Sequence, residues 1–265
     1  VQGCTGTPWN EELLSDSFET KLSAQENGAV AQTLWKTSQD KILQTTKNDG
    51  EALLDELISS GDLSCFRALI DRGGVFKDLS NRRIAEKLLL QIKAIDHPDI
   101  EGVVYFEKNE MRLLKENGDS IPFDSSHHSP HTYCTFYDQA HTVGSDIKHK
   151  TECEGWLTLN KNSKWRDLSQ AAWRMRGLGK GQSIRMVLTP DLESVMRSTL
   201  AIPRGTPIDM SHFMAYTLTV QAQEILSFAP ATTKKKLDNT LFSLCNSILQ
   251  SAPIEELQKE YRLIL

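Results

Sequence analysis

Between Thr132 and Pro190 short apolar runs alternate with amphipathic stretches. TYCTFYD (132–138), GWLTLN (155–160) and SIRMVLTP (183–190) are bounded apolar runs of strand length. WRDLSQAAWRMRGL (165–178) carries its apolar residues at helical spacing. Upstream, CFRALIDRGG (65–74) ends an apolar run in a glycine pair and predicts a buried strand. Helices are predicted on either side, from KNDGEALLDELISSGD (47–62) and DLSNRRIAEKLLLQIKAI (78–95), the second capped by Ser80 or Asp78. EGVVYFEKNEMRLLKENGDSI (101–121) predicts a strand and hairpin turning at Lys108-Asn109 and Asn117-Gly118. Strands alternating with helices predict an α/β domain with a largely parallel sheet, in which 133–138 is central and 183–188 its neighbour.

The flanks differ. Residues 10–47 are polar, with Leu13, Leu14, Phe18, Leu22, Val30, Leu34 and Ile42 at helical spacing, and read as helices or a connector. From Asp191 onward only helical patterns occur. The expected organisation is a connector over 1–50, an α/β domain over 51–190 and a helical tail over 191–265.

Composition narrows the function classes. A net charge of -5 over 265 residues does not support a general nucleic-acid binder. No apolar run approaches the roughly 18 residues of a membrane span. The five cysteines, Cys4, Cys65, Cys134, Cys153 and Cys245, form no CxxC pair. That spacing argues against a disulfide framework and a structural zinc site, and predicts a reducing, cytoplasmic setting. The chain starts at Val1 and reads as part of a longer protein. His127, His128 and His131 belong to a polar loop, Lys234 to Lys236 to a solvated helix start, and Trp165 and Trp173 to packing. No metal site is expected.

Three motifs carry the chemistry: GCTGTPWN (3–10), HTVGSDIK (141–148) and QAAWRMRGLGKGQ (170–182). DQAH at 138–141 resembles an ATPase box, but Gln139 stands where a catalytic Glu belongs and no GxxxxGK[ST] phosphate loop occurs in the chain. The order of the three motifs resembles superfamily-2 helicases and the translocase SecA. There a Thr-Gly-Thr element closes the first RecA-like half, and a Gly-(Thr)-Asp-Ile element and an arginine-bearing helix lie in the second. The resemblance implies a RecA-like second motor half whose nucleotide cleft takes Thr5, Gly6, Thr7, Gly144, Asp146, Gln170, Arg174 and Arg176. Arginine suits that role because its planar, permanently charged fork pairs with phosphate oxygens. Arg176 stands one residue early for the usual second arginine. ATP and magnesium are implied only together with an upstream RecA-like half of the same protein.

FRALIDRGGVFKDLSNRRIAEKLL, VVYFEKNEMRLL, YDQAHTVGSDIK and QAAWRMRGLGKGQS are together similar to the C-terminal region of very large, mainly fungal proteins labelled ubiquitinyl hydrolases. The similarity spans roughly residues 60–190, with Gln139, Val143 and Cys4 as departures. It implies membership of a ubiquitin-directed thiol hydrolase, with ubiquitin as partner. His141, Cys65 and Cys4 are the candidate catalytic residues within the chain, none in a recognisable nucleophile motif, so the isolated chain is expected to be inactive. The alternatives are an ATP-dependent remodeller and a degenerate nucleotide-binding scaffold.

Overall fold

The apolar runs assemble into one eight-stranded sheet in the computed structural model, which describes residues 30–60, 62–95 and 100–228. Expectations for residues 1–29 and 229–265, including Cys4, Thr5, Gly6 and Thr7, lie outside the described residues. In chain order the elements are α1 (30–38), β1 (Ile42–Gln44), α2 (Gly50–Ser60), β2 (Phe66–Asp71), α3 (Asn81–Ala94), β3 (Gly102–Glu107), β4 (Glu110–Lys115) and β5 (Ser120–Pro122). These are followed by β6 (Tyr133–Tyr137), β7 (Cys153–Thr158), α4 (Trp165–Ala172), β8 (Gln182–Leu188), α5 (Pro190–Thr199) and α6 (Met210–Phe228).

Strand order is β1-β8-β7-β2-β6-β3-β4-β5. All pairings from β1 to β3 are parallel, and the β3-β4-β5 edge is antiparallel. The fold is therefore α/β around a mostly parallel mixed sheet. β2, β6 and β7 are buried at every position, as mainly apolar strands in the middle of a doubly covered sheet are, and Arg67, Asp71 and Glu154 are buried with them. One face packs α2 and α3 around Phe66, Phe136 and Trp156; the other packs α1, α4, α5 and α6 around Ile70, Tyr137 and Leu157. Trp156 meets Phe66 with ring centroids 4.6 Å apart and has no exposed surface. Truncating such a ring costs about 3–5 kcal/mol. Among the described residues, no helix is long and apolar enough to cross a membrane.

Local chemistry explains most boundaries. The Ser80 hydroxyl accepts from the Arg83 amide at 3.2 Å and starts α3. Lys108 and Asn109 take φ of 51° and 66°, the left-handed pair that turns a two-residue hairpin.

Three expectations are corrected. Ile42 does not continue a helix: residues 42–44 form β1, which pairs beside β8 while Thr45 N donates to Leu188 O at 3.1 Å. The open edge of β8 recruits these residues, and three positions are too few to show a strand period. β8 shares the sheet with β6 but is not its neighbour, because β7 and β2 lie between them. The helix expected over 165–178 ends at Ala172; the amides of Arg174 and Met175 donate to the carbonyls three residues back, in tight turns. α5 and α6, in the span expected as a tail, join the core through Met196, Phe213 and Tyr216, whose hydroxyl donates to Lys161 O at 2.7 Å.

Candidate functional site

The chain leaves β2 toward β3 on one side and returns through β6 to β7 and β8 on the other. The carboxyl ends of β2, β6 and β7 thus meet at a topological switch point, where loops of open α/β sheets diverge and leave a crevice.

Behind β2, the buried Asp71 carboxylate accepts from the Thr158 hydroxyl at 2.6 Å and from the amides of Val75 and Phe76 at 3.0 and 3.1 Å. Burial pushes its pKa up against these bonds, which favour the charged form. The loop they shape admits no side chain at Gly73, where a Cβ would stand 2.7 Å from the Leu159 carbonyl carbon. Arg72 leaves this loop to pair with Asp167 at the start of α4, and donates to the Thr142 hydroxyl at 3.3 Å. One arginine therefore ties together the segments that follow β2, β6 and β7.

Behind β6, Asp138 organises a fixed histidine. One of its oxygens accepts from the His141 amide at 3.0 Å and meets His141 Nδ1 at 2.7 Å; the other accepts from the Asn81 side-chain amide. The His141 ring stacks on Phe106, centroids 4.1 Å apart and planes within 5°. Nε2 makes no hydrogen bond and is not among the sealed polar atoms, so it reaches solvent. This is a histidine held by a carboxylate with one nitrogen turned outward, a geometry suited to proton transfer or hydrogen bonding.

The chain then turns at Gly144, φ +83°, into Ser145 and Asp146. The turn after α4 reaches this loop twice: Arg174 donates to Ser145 O, and Arg176 Nε donates to Asp146 Oδ1 at 3.1 Å. Arg174 is buried and also donates to the Gln170 carbonyl at 3.4 Å. Burial, and then the charge of Arg176, pull its pKa below the ordinary value. Arg176 is exposed, so its charge is available to exchange partners. Gln182 holds the base of the turn, accepting from Gly177 N at 2.7 Å and donating to Lys150 O at 2.8 Å.

Asp146, Arg174 and Arg176 accordingly meet where the turn between α4 and β8 reaches the loop that follows Gly144, with Gln170 joined through its carbonyl. This clasp lies beside Gln182 at the start of β8, because α4 runs back from the end of β7. It is therefore toward the amino side of the sheet, away from the carboxyl edge where His141 stands. His141 and Cys65 do not meet. Their strands are neighbours, but Ala68 pairs with Thr135 in parallel register. Cys65 precedes β2 and His141 follows β6, so they sit at opposite ends of the sheet, roughly 15 Å or more apart at about 3.3 Å per residue. Cys134 and Cys153 are buried, and burial pushes both thiols up to about 12.

Sequence reasoning missed Arg72, Asn81, Phe106, Asp138 and Asp167. A signal existed for Asp138: an acid three residues before a histidine, directly after a buried strand, can cap the turn and meet the ring. Among the described residues, no group of three or more His, Cys, Asp and Glu side chains is placed to hold a metal ion. Comparison with family models, curated proteins and solved structures finds no match for this chain.

Proposed function

We propose that the chain is a RecA-like second half of a nucleotide-dependent motor or switch, whose clasp between the turn after α4 and the Gly144 loop completes a nucleotide site held by an upstream half. The observation that carries this reading is the clasp between the turn after α4 and the loop after β6. Arg174 fixes Ser145 from inside, and Arg176 holds Asp146 in an open pair. A phosphate brought by the other half offers Arg176 a more highly charged partner than one carboxylate, and a planar guanidinium binds it through paired hydrogen bonds. Transfer of Arg176 from Asp146 to phosphate releases the Gly144 loop, while Arg174 keeps the turn in place. Arg174 is thus a positioning residue and Arg176 the phosphate contact. ATP and magnesium belong to this reading only with the upstream half present.

The ubiquitin-directed thiol hydrolase is the second reading, resting on sequence resemblance. Within it, this half supports a nucleophile located elsewhere in the parent protein. No described cysteine stands near a histidine at hydrogen-bond range, and the two buried thiols are held protonated.

Resonance shifts of the 15N-labelled chain on addition of ADP and of pyrophosphate test the first reading. Shifts are expected at Ser145, Asp146 and Trp173 to Gly177, and are expected to vanish in Arg176→Ala. No shifts at millimolar ligand, or shifts that persist in Arg176→Ala, contradict it. A ubiquitin probe with a thiol-reactive carboxyl terminus addresses the second reading: no adduct is expected at Cys65, and one that forms there places the nucleophile inside this chain.

A further inference from the structure

Cys65 and Cys153 lie at the amino ends of β2 and β7 and play no part in the nucleotide reading above. Phe66 pairs with Glu154 in the parallel β2–β7 ladder, and Glu154 N donates to Cys65 O at 2.7 Å. Cys65, just ahead of β2, and Cys153, the first residue of β7, therefore stand beside one another. Phe66 and Trp156 meet on one face of the sheet, and alternation along β7 turns Cys153 toward the other face. Cys153 belongs to the core of that face, and its thiol is electrostatically coupled to Cys65. Neighbouring strands run about 4.8 Å apart. That spacing falls inside the Cα separation of about 4.4–6.8 Å that a disulfide spans.

The two thiols differ in access. Cys65 is exposed, whereas Cys153 is 4% exposed and donates to Lys150 O at 3.1 Å. Cys134, the remaining described cysteine, is buried in the core of the opposite face. One cysteine is thus open to an oxidant, and one is shielded from it yet adjacent to the first.

We propose that Cys65 and Cys153 form a paired oxidation site, closed to a disulfide by hydroperoxides. The Cys65 thiolate attacks one peroxide oxygen, the O–O bond breaks, and Cys65 becomes a sulfenic acid as hydroxide leaves and is protonated. The Cys153 sulfur then attacks the Cys65 sulfur, the S–O bond breaks, and the departing hydroxide takes up the thiol proton as water. In total two thiols lose two electrons and two protons, and hydrogen peroxide is reduced to two waters. The product links the amino ends of β2 and β7 and is reopened by dithiols.

Treating the folded chain with hydrogen peroxide, alkylating the remaining thiols and digesting with trypsin tests this directly. Cys65 lies in the tryptic peptide 48–67, Cys153 in 151–161 and Cys134 in 116–148. The expected result is a linked 48–67/151–161 pair that dithiothreitol separates, with Cys134 recovered alkylated only after unfolding. Cys65→Ser, at an exposed position that leaves the core intact, is expected to abolish the link and leave Cys153 reduced. Recovery of Cys65 as an unlinked sulfenic or sulfinic acid overturns the proposal, as does its linkage mainly to a cysteine other than Cys153.

Discussion

At the amino end of the sheet Glu154 gathers Arg185, Lys41 and Trp156 around one buried carboxylate; in the turn between α4 and β8 Arg176 faces Asp146 in an open pair. Glu154 is 3% exposed and accepts from Arg185 Nε at 2.5 Å, Lys41 Nζ at 2.9 Å and Trp156 Nε1 at 3.1 Å. Burial works against its charge, but the hydrogen bonds from Arg185 and Lys41 outweigh burial and hold its pKa below the ordinary value. Asp146 has one such partner and most of its side chain in water. The same ion-pair chemistry therefore yields a closed structural cluster within the sheet and an exchangeable contact in the turn outside it. A closed cluster fixes strand register; an open pair leaves a charge that a ligand can recruit.

Breaking the closed cluster is expected to have the largest effect on stability. Glu154→Ala leaves two cations without their carboxylate and is expected to cost about 3–4 kcal/mol, near the lower end for buried ion pairs because Lys41 and Arg185 retain some solvent contact. Urea denaturation measures this; a loss under about 1 kcal/mol would show that the cluster is not what holds the amino end.

A second test lies beside the clasp, where the His149 carbonyl accepts from the Gln182 side chain. His149 is buried, with Nε2 3.0 Å from the Tyr137 hydroxyl and Nδ1 without a partner. Burial, and then the Arg67 charge, lower its pKa from 6.5 to about 4. The unfolded chain binds this proton more readily than the folded one, so the contribution of neutral His149 is complete above pH 6.5 and is lost as pH falls toward 4. At about 1.4 kcal/mol per unit, the loss reaches up to about 3 kcal/mol. The difference in stability between the natural chain and His149→Gln across this window isolates it from the carboxylates. An unchanged difference from pH 7 to 4 would contradict the assignment.

Asp138→Ala removes the acceptor shared by Asn81 and His141 and is expected to cost about 1–2 kcal/mol. It is also expected to weaken the ring contacts between His141 and Phe106 in nuclear Overhauser spectra. Retention of both stability and contacts would mean that Phe106 alone orients the ring. Arg176→Ala has the smallest expected effect on folding, under about 0.5 kcal/mol, since both partners are substantially exposed.

Legibility in the sequence followed burial. The runs that became β2, β6, β7 and β8 are mainly apolar, and the burial of nearly every position leaves little freedom in the reading. The hairpin at Lys108-Asn109 and the cap at Ser80 were legible because turns and caps are local chemistry. β1 was not, since only the edge of β8 makes three residues extended. The end of α4 was hidden because Arg174 and Met175 continue the helical spacing, and only the loop at Ser145 gives Arg174 a reason to leave it. At the site, the meeting of the 141–148 and 170–182 segments was legible from motif order, but its place was not: α4 carries Arg174 and Arg176 away from the carboxyl edge to the turn that enters β8. The links made by Arg72 and Asn81 join residues 95 and 57 positions apart, beyond the reach of any local pattern.

The most direct test of the account pairs Arg176→Ala with Arg185→Ala and follows the Ser145 and Asp146 amide resonances as ADP is added. The account predicts that Arg185→Ala lowers stability yet keeps the nucleotide-induced shifts, whereas Arg176→Ala keeps stability and loses them. Loss of the shifts in both variants, or in neither, would contradict the division between a structural Glu154 cluster and a ligand-responsive Arg176–Asp146 clasp.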